Sequence, residues 1–294
     1  MKVSRLEQII VHTVFIIAAG LCLIPFLLLI SASLTNEQSI VQYGYSLLPR
    51  NFSIESYRYL LKEPQMIVNA YGISILVTAV GTMVSLLIMT LLAYPISRRD
   101  LPFRNAIAFF IFFTMLFNGG LVPTYLMYTN IFEIKNTLIA FIVPGLLVSA
   151  FFVILIRTFF TMNIPVEVIE SANMDGAGEF RIFYQIVLPL SKPVLGTVGI
   201  FQVINYWNDW FNGLIYITDS KLHSIQVLLN TILLNAQYLV TNLEAADQLN
   251  PGDGIPSQGL RMAIAAIGVI PILITYPFFQ KYFAKGLTVG AVKG

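Results

Sequence analysis

The chain has 294 residues, of which 57% are hydrophobic and 11% are charged, and its formal net charge is +2. Soluble domains carry about 25% charged residues, so a water-soluble fold of this length would have too few charges to solvate its surface. The small net charge also argues against nucleic acid as a partner. The remaining solvent is the lipid bilayer, and the composition predicts an integral membrane protein.

Six stretches of the chain are almost free of charge, and each is long enough for the ~20 residues that a spanning helix needs. Helices are expected because every backbone polar group in lipid must find its partner within the segment. The predicted spans are approximately 9–31, 67–95, 105–128, 137–158, 190–217 and 261–281. The predicted fold class is all-α integral membrane, with six transmembrane helices in a single domain covering residues 1–294.

The distribution of Lys and Arg predicts the orientation of these spans. With both termini in the cytoplasm, eleven of the 17 Lys and Arg residues face inward, in agreement with the positive-inside rule. The segment 161–189 then lies in the cytoplasm. The long loops 32–66 and 218–260 lie outside, and the Pro-Gly and Asp-Gly pairs of the second loop indicate turns.

The segment 161–189 is small, acidic and glycine-bearing, unlike the apolar runs on both sides of it. Pro165 suits the first turn of a helix, where its missing N–H costs little. Gly176 and Gly178 should end that helix, since glycine is the usual residue past a helix C-terminus. A second amphipathic helix is predicted to run to Leu188-Pro189, where we expect the proline to end the helical pattern. The segment is therefore predicted to form a helix, a turn and a second helix.

An amphipathic helix lying on lipid is one interpretation of this segment. Such helices are usually rich in Lys and Arg on the polar face, whereas this segment offers four acids against Arg181 alone. The acids are Glu167, Glu170, Asp175 and Glu179. Because anionic lipid would repel that face, a protein partner is favoured.

The spacing of this segment is that of a known motif. Glu170-Ser171-Ala172, Gly176, nine residues and then Ile186-x-Leu188-Pro189 resembles the EAA loop of bacterial ABC importer permeases, whose pattern is E-A-A-x3-G-x9-I-x-L-P. Only Ser171 departs from the pattern, by a small-for-small change. The stretches NGGLVPTY, YWNDWF and QKYFAKGLTVGAVKG are similar to the carbohydrate-uptake branch of that family. Within it, the chain most resembles the maltose-type second permease and permeases for oligo- and polysaccharides such as aldouronates or alginate.

The resemblance covers essentially the whole chain and implies a type I ABC importer permease fold with a cytoplasmic coupling helix. It implies import of a saccharide across the cytoplasmic (inner) membrane of a bacterium by alternating access. The positions that would couple to a separate ATPase are Glu170, Ser171, Ala172, Asp175 and Gly176. The family's C-terminal tail reaches toward the ATPase dimer, and residues 285–294 match it.

The resemblance also implies the partners. They are a homologous second permease subunit, two ATP-binding cassette subunits, an extracytoplasmic sugar-binding protein and the saccharide itself. The outward loop 218–260 stands where a related permease contacts its binding protein. The phosphate-binding motif G-x-x-x-x-G-K-[ST] does not occur in the sequence, so the chain is predicted to be a non-catalytic subunit without a cofactor. ATP and Mg²⁺ would be bound by the partner ATPase.

The fifth predicted span carries a polar stripe on one helical face, which consists of Gln202, Asn205, Asp209 and Asn212. Polar groups are costly in lipid, so this face should point at a cavity or at another helix. In the first interpretation the stripe, with the neighbouring Trp207 and Trp210, lines the substrate pathway. In the second, the polar groups join helices to each other and the tryptophans form an interfacial aromatic belt.

Two other classes of protein compete with a permease subunit. A secondary transporter or channel acting alone should show inverted repeats or broken helices, and copurification of an ATP-binding protein would distinguish it from a permease subunit. An intramembrane enzyme would need a catalytic constellation, and no H-E-x-x-H, paired-aspartate or Ser/His/Asp pattern occurs in the sequence.

Overall fold

The computed structural model describes residues 5–62, 64–246, 258–271, 273 and 274. Apart from a β-bridge between Thr35 and Phe52, the regular secondary structure of these residues is helical, as the sequence predicts. The predicted C-terminal tail 285–294 and the turn-rich part of the loop 218–260, at 247–257, lie outside the described residues.

The helices follow in chain order. The first half contains α1 (Arg5–Ser33), α2 (Glu37–Tyr43), α3 (Glu55–Leu60), α4 (Pro64–Ser97), α5 (Arg104–Leu116), α6 (Leu121–Leu126), a π-helical turn (Met127–Ile131) and α7 (Ile139–Ile142). The second half contains α8 (Ala150–Asn163), α9 (Val166–Met174), α10 (Glu179–Ile182), a π-helical turn (Phe183–Val187), α11 (Leu188–Leu190), α12 (Lys192–Trp207), α13 (Phe211–Tyr216), a 3₁₀ turn (Ser220–Leu222), α14 (Ile225–Ala246) and α15 (Gln258–Pro271).

Two of these helices, α1 and α4, are each long and apolar enough to cross a membrane. Three further pairs meet the same standard only when joined across a break, where they bend by 113°, 78° and 79°. The described residues therefore contain two candidate spans, or up to five if each bent pair is one span. The predicted number of six stays a prediction, since the sixth segment, 261–281, lies partly outside the described residues.

The chain folds into two compact units. The first consists of Met1–Ile67 and Leu228–Pro271. In it, the carboxylate of Glu37 accepts hydrogen bonds from the backbone N–H groups of Gln258 and Gly259, each at 2.8 Å. A Cβ atom on Gly259 would lie 2.6 Å from Ser56 Oγ. A glycine is therefore required where the first turn of α15 meets the 32–66 loop.

The second unit consists of Val68–Val227 and Ile272–Gly294, and its described part contains two apolar clusters. One joins α4, α8, α9, α12 and the π-helical turn 183–187, and its fully buried members include Met89, Ala93, Ile156 and Val187. The other surrounds Phe141 and contains Val77, Tyr206, Tyr216 and Val227. These clusters hold together the helices that carry the predicted site residues.

A close approach in the second cluster provides a test of this packing. A Cβ atom on Gly213 would overlap Val227 Cγ2 and lie 2.7 Å from Phe141 Cε1. Overpacking of a filled core costs about 1–3 kcal/mol, so we expect Gly213→Ala to lower the Tm of the detergent-solubilised full-length protein. Gly72→Ala is the control, because nothing lies within 4 Å of its Cβ position. Equal Tm values for the two variants would contradict the packing.

Candidate functional site

The segment 161–189 folds as the predicted helix, turn and second helix. Pro165 is the N-cap of α9, and Gly176 follows its C-terminus with a φ of +78°. The N–H of Gly176 donates to Asn173 O and the N–H of Ala177 donates to Ala172 O, both at 3.0 Å. This pair of bonds is the Schellman motif, in which the left-handed residue is usually glycine. Gly176 therefore stops the helix, as predicted.

The second helix differs from expectation at Pro189. The sequence predicts that this proline ends the pattern, but the helical path continues through α11 to Leu190. The π-helical turn 183–187 ends just before α11, so Pro189 lies in the first turn of a new helix, where its missing N–H removes no helical bond. The chain breaks instead at Ser191, which precedes α12.

The predicted coupling residues divide into two groups by exposure. Glu170, Ser171, Asp175 and Gly176 are exposed. Ala172 is half-buried and packs against the first apolar cluster of its own chain. Four of the five positions are therefore available at the surface of the segment, and the fifth faces inward.

The surface of this segment also carries large apolar side chains. Met174 is 89% exposed, Phe180 is 85% exposed and Tyr184 is 71% exposed. They stand among the exposed acids of α9 and α10. Apolar side chains grouped on a surface in this way mark an interaction site.

The structure shows a group of interacting side chains that sequence reasoning missed. Glu179, the first residue of α10, accepts a hydrogen bond from Tyr94 Oη at 2.5 Å and lies 3.3 Å from Arg98 Nη2. Arg98 also forms two hydrogen bonds of 2.9 Å with the carboxylate of Asp100. We call Tyr94, Arg98 and Glu179 the clamp. It joins the start of α10 to the C-terminal end of α4.

The electrostatics keep the guanidinium of the clamp charged. The hydrogen bonds with Asp100 raise the pKa of Arg98 above its usual value. The same bonds lower the pKa of the Asp100 carboxyl. Both groups are therefore ionised at neutral pH, and the carboxylate of Glu179 faces a permanent positive charge.

Two more arginines satisfy backbone groups at the end of α4. Arg157 of α8 donates from Nε to the carbonyl of Ile96 at 3.1 Å, and Arg104 of α5 donates from Nη1 to the carbonyl of Arg98 at 3.3 Å. The last carbonyl groups of a helix have no intrahelical partner, and cations near a helix C-terminus are favoured by its dipole. This end of α4 is thus bonded to α5, α8 and α10.

The predicted fourth span, 137–158, is interrupted. α7 ends at Ile142 and α8 begins at Ala150, and between them Gly145 has a φ of +72°. Carbonyl groups at such a break need partners that lipid does not offer, and side chains supply them. The bonds are Tyr206 Oη to Ile142 O (3.0 Å), Asn212 Nδ2 to Pro144 O (3.0 Å), Gln202 Nε2 to Leu146 O (3.0 Å) and Ser85 Oγ to Leu147 O (2.8 Å).

The polar stripe of the fifth predicted span therefore lies partly in the packed interior, at Gln202, and partly at the surface, at Asn205. Gln202 is 1% exposed and also donates to Ser85 Oγ, so its polar atoms are used in joining helices. Asn205 is exposed, and its Nδ2 lies 3.1 Å from Gln202 Oε1. Asp209 is half-buried, and its carboxylate accepts from the N–H and the side chain of Asn212.

A cavity of about 500 Å³ opens beside the interruption. Asp209 and Asn212 line it together with residues of the 118–124 stretch and of the break itself. Its polar and aromatic lining includes Asn118, Thr124, Asp209, Asn212 and Tyr216. The ring of Tyr216 stacks on Tyr125 at 5.7 Å between centroids. Such a wall offers amide, carboxylate and aromatic groups to a ligand.

The two tryptophans predicted beside the stripe lie in different surroundings. Trp207 is 7% exposed, and its ring lies 6.3 Å from that of Tyr71. Trp210 is 45% exposed and contacts Phe211 edge to face. Among the described residues, neither tryptophan lines the 500 Å³ cavity.

A solved structure identifies the class of protein. A chain in the crystal structure of a bacterial ABC transporter involved in the import of the acidic polysaccharide alginate resembles this one with a TM-score of 0.77 and 26% sequence identity. The match covers 96% of this chain and 99% of that chain. The fold is that of the all-helical membrane permeases of ABC importers.

The sequence comparisons specify the family. The family profile described as "Binding-protein-dependent transport system inner membrane component" matches residues 71–289. The polygalacturonan/rhamnogalacturonan transport system permease protein YtcP of Bacillus subtilis (strain 168) is 36% identical over 291 residues, which are 99% of each chain. The arabinooligosaccharides transport system permease protein AraQ of Halalkalibacterium halodurans is 26% identical over 288 residues, covering 95% of this chain and 94% of that relative.

The chain belongs to the family of binding-protein-dependent transport system inner membrane components. It is a multi-pass permease of the inner membrane and the non-catalytic subunit of an ABC importer. The predicted family membership is thereby confirmed. Membership implies an ATPase and a binding protein as partners, so the alternatives of a stand-alone transporter and of an intramembrane enzyme are set aside.

The Schellman motif generates a test of the local structure. Replacing Gly176 by Ala forces a side chain into a left-handed conformation at a cost of about 1 kcal/mol or more, and we expect faster amide hydrogen exchange over 166–177. Gly178→Ala is the matched control, since Gly178 has a φ of −72° and nothing lies within 4 Å of its Cβ position. Unchanged exchange in Gly176→Ala would refute the assignment.

Proposed function

We propose that the chain moves an oligo- or polysaccharide across the cytoplasmic membrane of a bacterium by alternating access, coupled through the 161–189 segment to a separate ATPase. The observation that carries the coupling role is the surface of this segment. α9, which is followed by Gly176, has Glu170, Ser171, Met174 and Asp175 exposed at its C-terminal end, and Phe180 is exposed on α10. Exposed acidic and apolar groups on a short helix-turn-helix segment suit a protein cleft better than anionic lipid.

The substrate class rests on the relatives. YtcP, AraQ and the alginate transporter are all named for saccharides, some acidic and some neutral. A saccharide presents hydroxyl groups at every face, and amide and carboxylate side chains hydrogen-bond to such groups. We therefore assign an oligo- or polysaccharide as the substrate.

The working complex would contain a homologous second permease, two ATP-binding cassette subunits and an extracytoplasmic sugar-binding protein. ATP and Mg²⁺ would be held by the cassette subunits. Both termini would lie in the cytoplasm, with six spans and with the loops 32–66 and 218–260 outside. The excess of Lys and Arg on the inward side supports this orientation.

The substrate pathway would run along the 500 Å³ cavity, with Asp209 and Asn212 in its wall. Asn205 is a further candidate because its side chain is exposed in this chain. Gln202 would affect the pathway only indirectly, because its side chain donates a hydrogen bond to the carbonyl of Leu146 at the interruption. Trp210 is exposed and is a further candidate contact, whereas Trp207 packs in the interior.

Reconstitution tests the proposed function. We expect the chain, coexpressed with a homologous permease, an ATPase and a sugar-binding protein from the same organism, to copurify with the ATPase. In proteoliposomes the complex should take up galacturonate oligomers or arabino-oligosaccharides only when ATP and the binding protein are both present. Uptake by the chain alone, or purification without any ATP-binding protein, would contradict the proposal.

Substitutions of Asp209, which lines the cavity, and of Asn205, which is exposed outside its lining, test the pathway. We expect Asp209→Asn and Asn205→Leu to reduce uptake by about tenfold, since the loss of a hydrogen bond to a bound group costs about 1–2 kcal/mol, while the complex still assembles. Asn208→Ala is the control, because Asn208 Nδ2 bonds back to Ile204 O in its own helix. If both variants transport as the wild type does, these residues lie off the pathway.

A further inference from the structure

The clamp joins the end of α4 to the start of α10, two elements that are far apart in the sequence. Tyr94 and Glu179 are 85 positions apart, and the hydroxyl of one lies 2.5 Å from the carboxylate of the other. Arg98, one helical turn beyond Tyr94, reaches the second oxygen of the same carboxylate at 3.3 Å. A single carboxylate at the start of α10 is thus held by two donors from one end of α4.

The energetic contribution of the clamp to folding is expected to be small. The side chain of Glu179 is 56% exposed, so water would solvate its carboxylate if the bonds were absent. Exposed ion pairs add little to stability. What the two bonds favour is one position, because two donors on two oxygens of the same carboxylate define one placement of the start of α10 against the end of α4.

The other end of this connection lies at the interruption of the fourth predicted span. Ser85 is nine residues before Tyr94 on the continuous helix α4, a rise of about 14 Å. Ser85 Oγ donates to Leu147 O and accepts from Gln202. Between the two ends, Met89 and Ala93 are fully buried in the first apolar cluster. A helix packed in this way transmits displacement as a rigid body.

We propose that Tyr94, Arg98 and Glu179 are positioning residues that make α4 move with the 161–189 segment, so that displacement of this segment reaches the hydrogen-bonded interruption beside the cavity. This inference rests on the proposed function, since the displacement is attributed to the partner ATPase. The role requires no contact between the clamp and either substrate or nucleotide. It consists in preventing the segment from moving without α4.

The direct test is a distance measurement in the complete importer. Spin labels are attached in a Cys22→Ser background at Leu190→Cys, at the end of the second helix, and at Met83→Cys, two positions that are 50% and 73% exposed. The distance between them is measured by pulsed EPR with and without ATP and vanadate. We expect the wild-type distance to stay the same in both states, because the second helix of the segment and α4 move together.

The clamp variants are Tyr94→Phe, which removes only the hydroxyl group, and Glu179→Ala, which removes the carboxylate. In both we expect the distance to change or broaden on addition of ATP and vanadate. We also expect the number of saccharide molecules imported per ATP to fall by about fivefold, the lower range of coupling between sites. Glu179→Gln keeps an acceptor for Tyr94 and should lie between the wild type and Glu179→Ala. Glu55→Ala, an exposed acid outside the clamp, is the control.

The outcomes separate the two proposals. A wild-type distance that changes with ATP, or clamp variants with the wild-type distance and import ratio, would overturn the role of the clamp while leaving the proposed function intact. A complex without a bound ATPase would overturn the proposed function itself. Copurification of the ATPase with each variant shows that the variant has folded, so a lower import ratio then reports lost positioning.

Discussion

The structure depends on how backbone carbonyl groups are satisfied where a predicted span is broken. Around Pro144 and Gly145 the chain leaves helical geometry, and lipid provides no donors to replace the missing bonds. The donors come from four side chains, Ser85, Gln202, Tyr206 and Asn212. Because these residues belong to α4, α12 and α13, satisfying the break also fixes the positions of three helices around the cavity. The break is therefore a joint at which those helices meet.

The same helix α4 that donates to the break ends at the clamp. Tyr94 and Arg98 of the clamp also line a pocket together with Glu170, one of the exposed acids of the 161–189 segment. Structural and mechanical roles are thus separated along the chain: buried polar groups hold the membrane part together, while exposed acidic and apolar groups on the 161–189 segment are available to a partner. Such a division suits the proposed function, in which a partner ATPase moves a permease that has no catalytic role of its own.

The sequence predicts the features that short-range chemistry determines. Pro165 and Gly176 act on their immediate neighbours, so the helix of the 161–189 segment and its end can be predicted directly. The prediction for Pro189 is wrong because the π-helical turn before it, which places it in a new first turn, has no clear sequence signal. Pro144 could be expected to kink its span, and a Pro-Gly pair marks turns. The side chains that satisfy the carbonyl groups of the break could not be predicted, because they come from distant parts of the chain. The clamp could not be predicted, since Tyr94 and Glu179 are brought together only by the tertiary fold.

The central claim is that the exposed face of the 161–189 segment is held by a separate ATPase. Photo-crosslinking from Ser171, which is exposed, tests it more directly than Ala172, which faces its own core. With a photoreactive amino acid at position 171 in membranes of the intact importer, the account predicts a covalent adduct between this chain and an ATP-binding subunit. Adducts with phospholipid alone would contradict it.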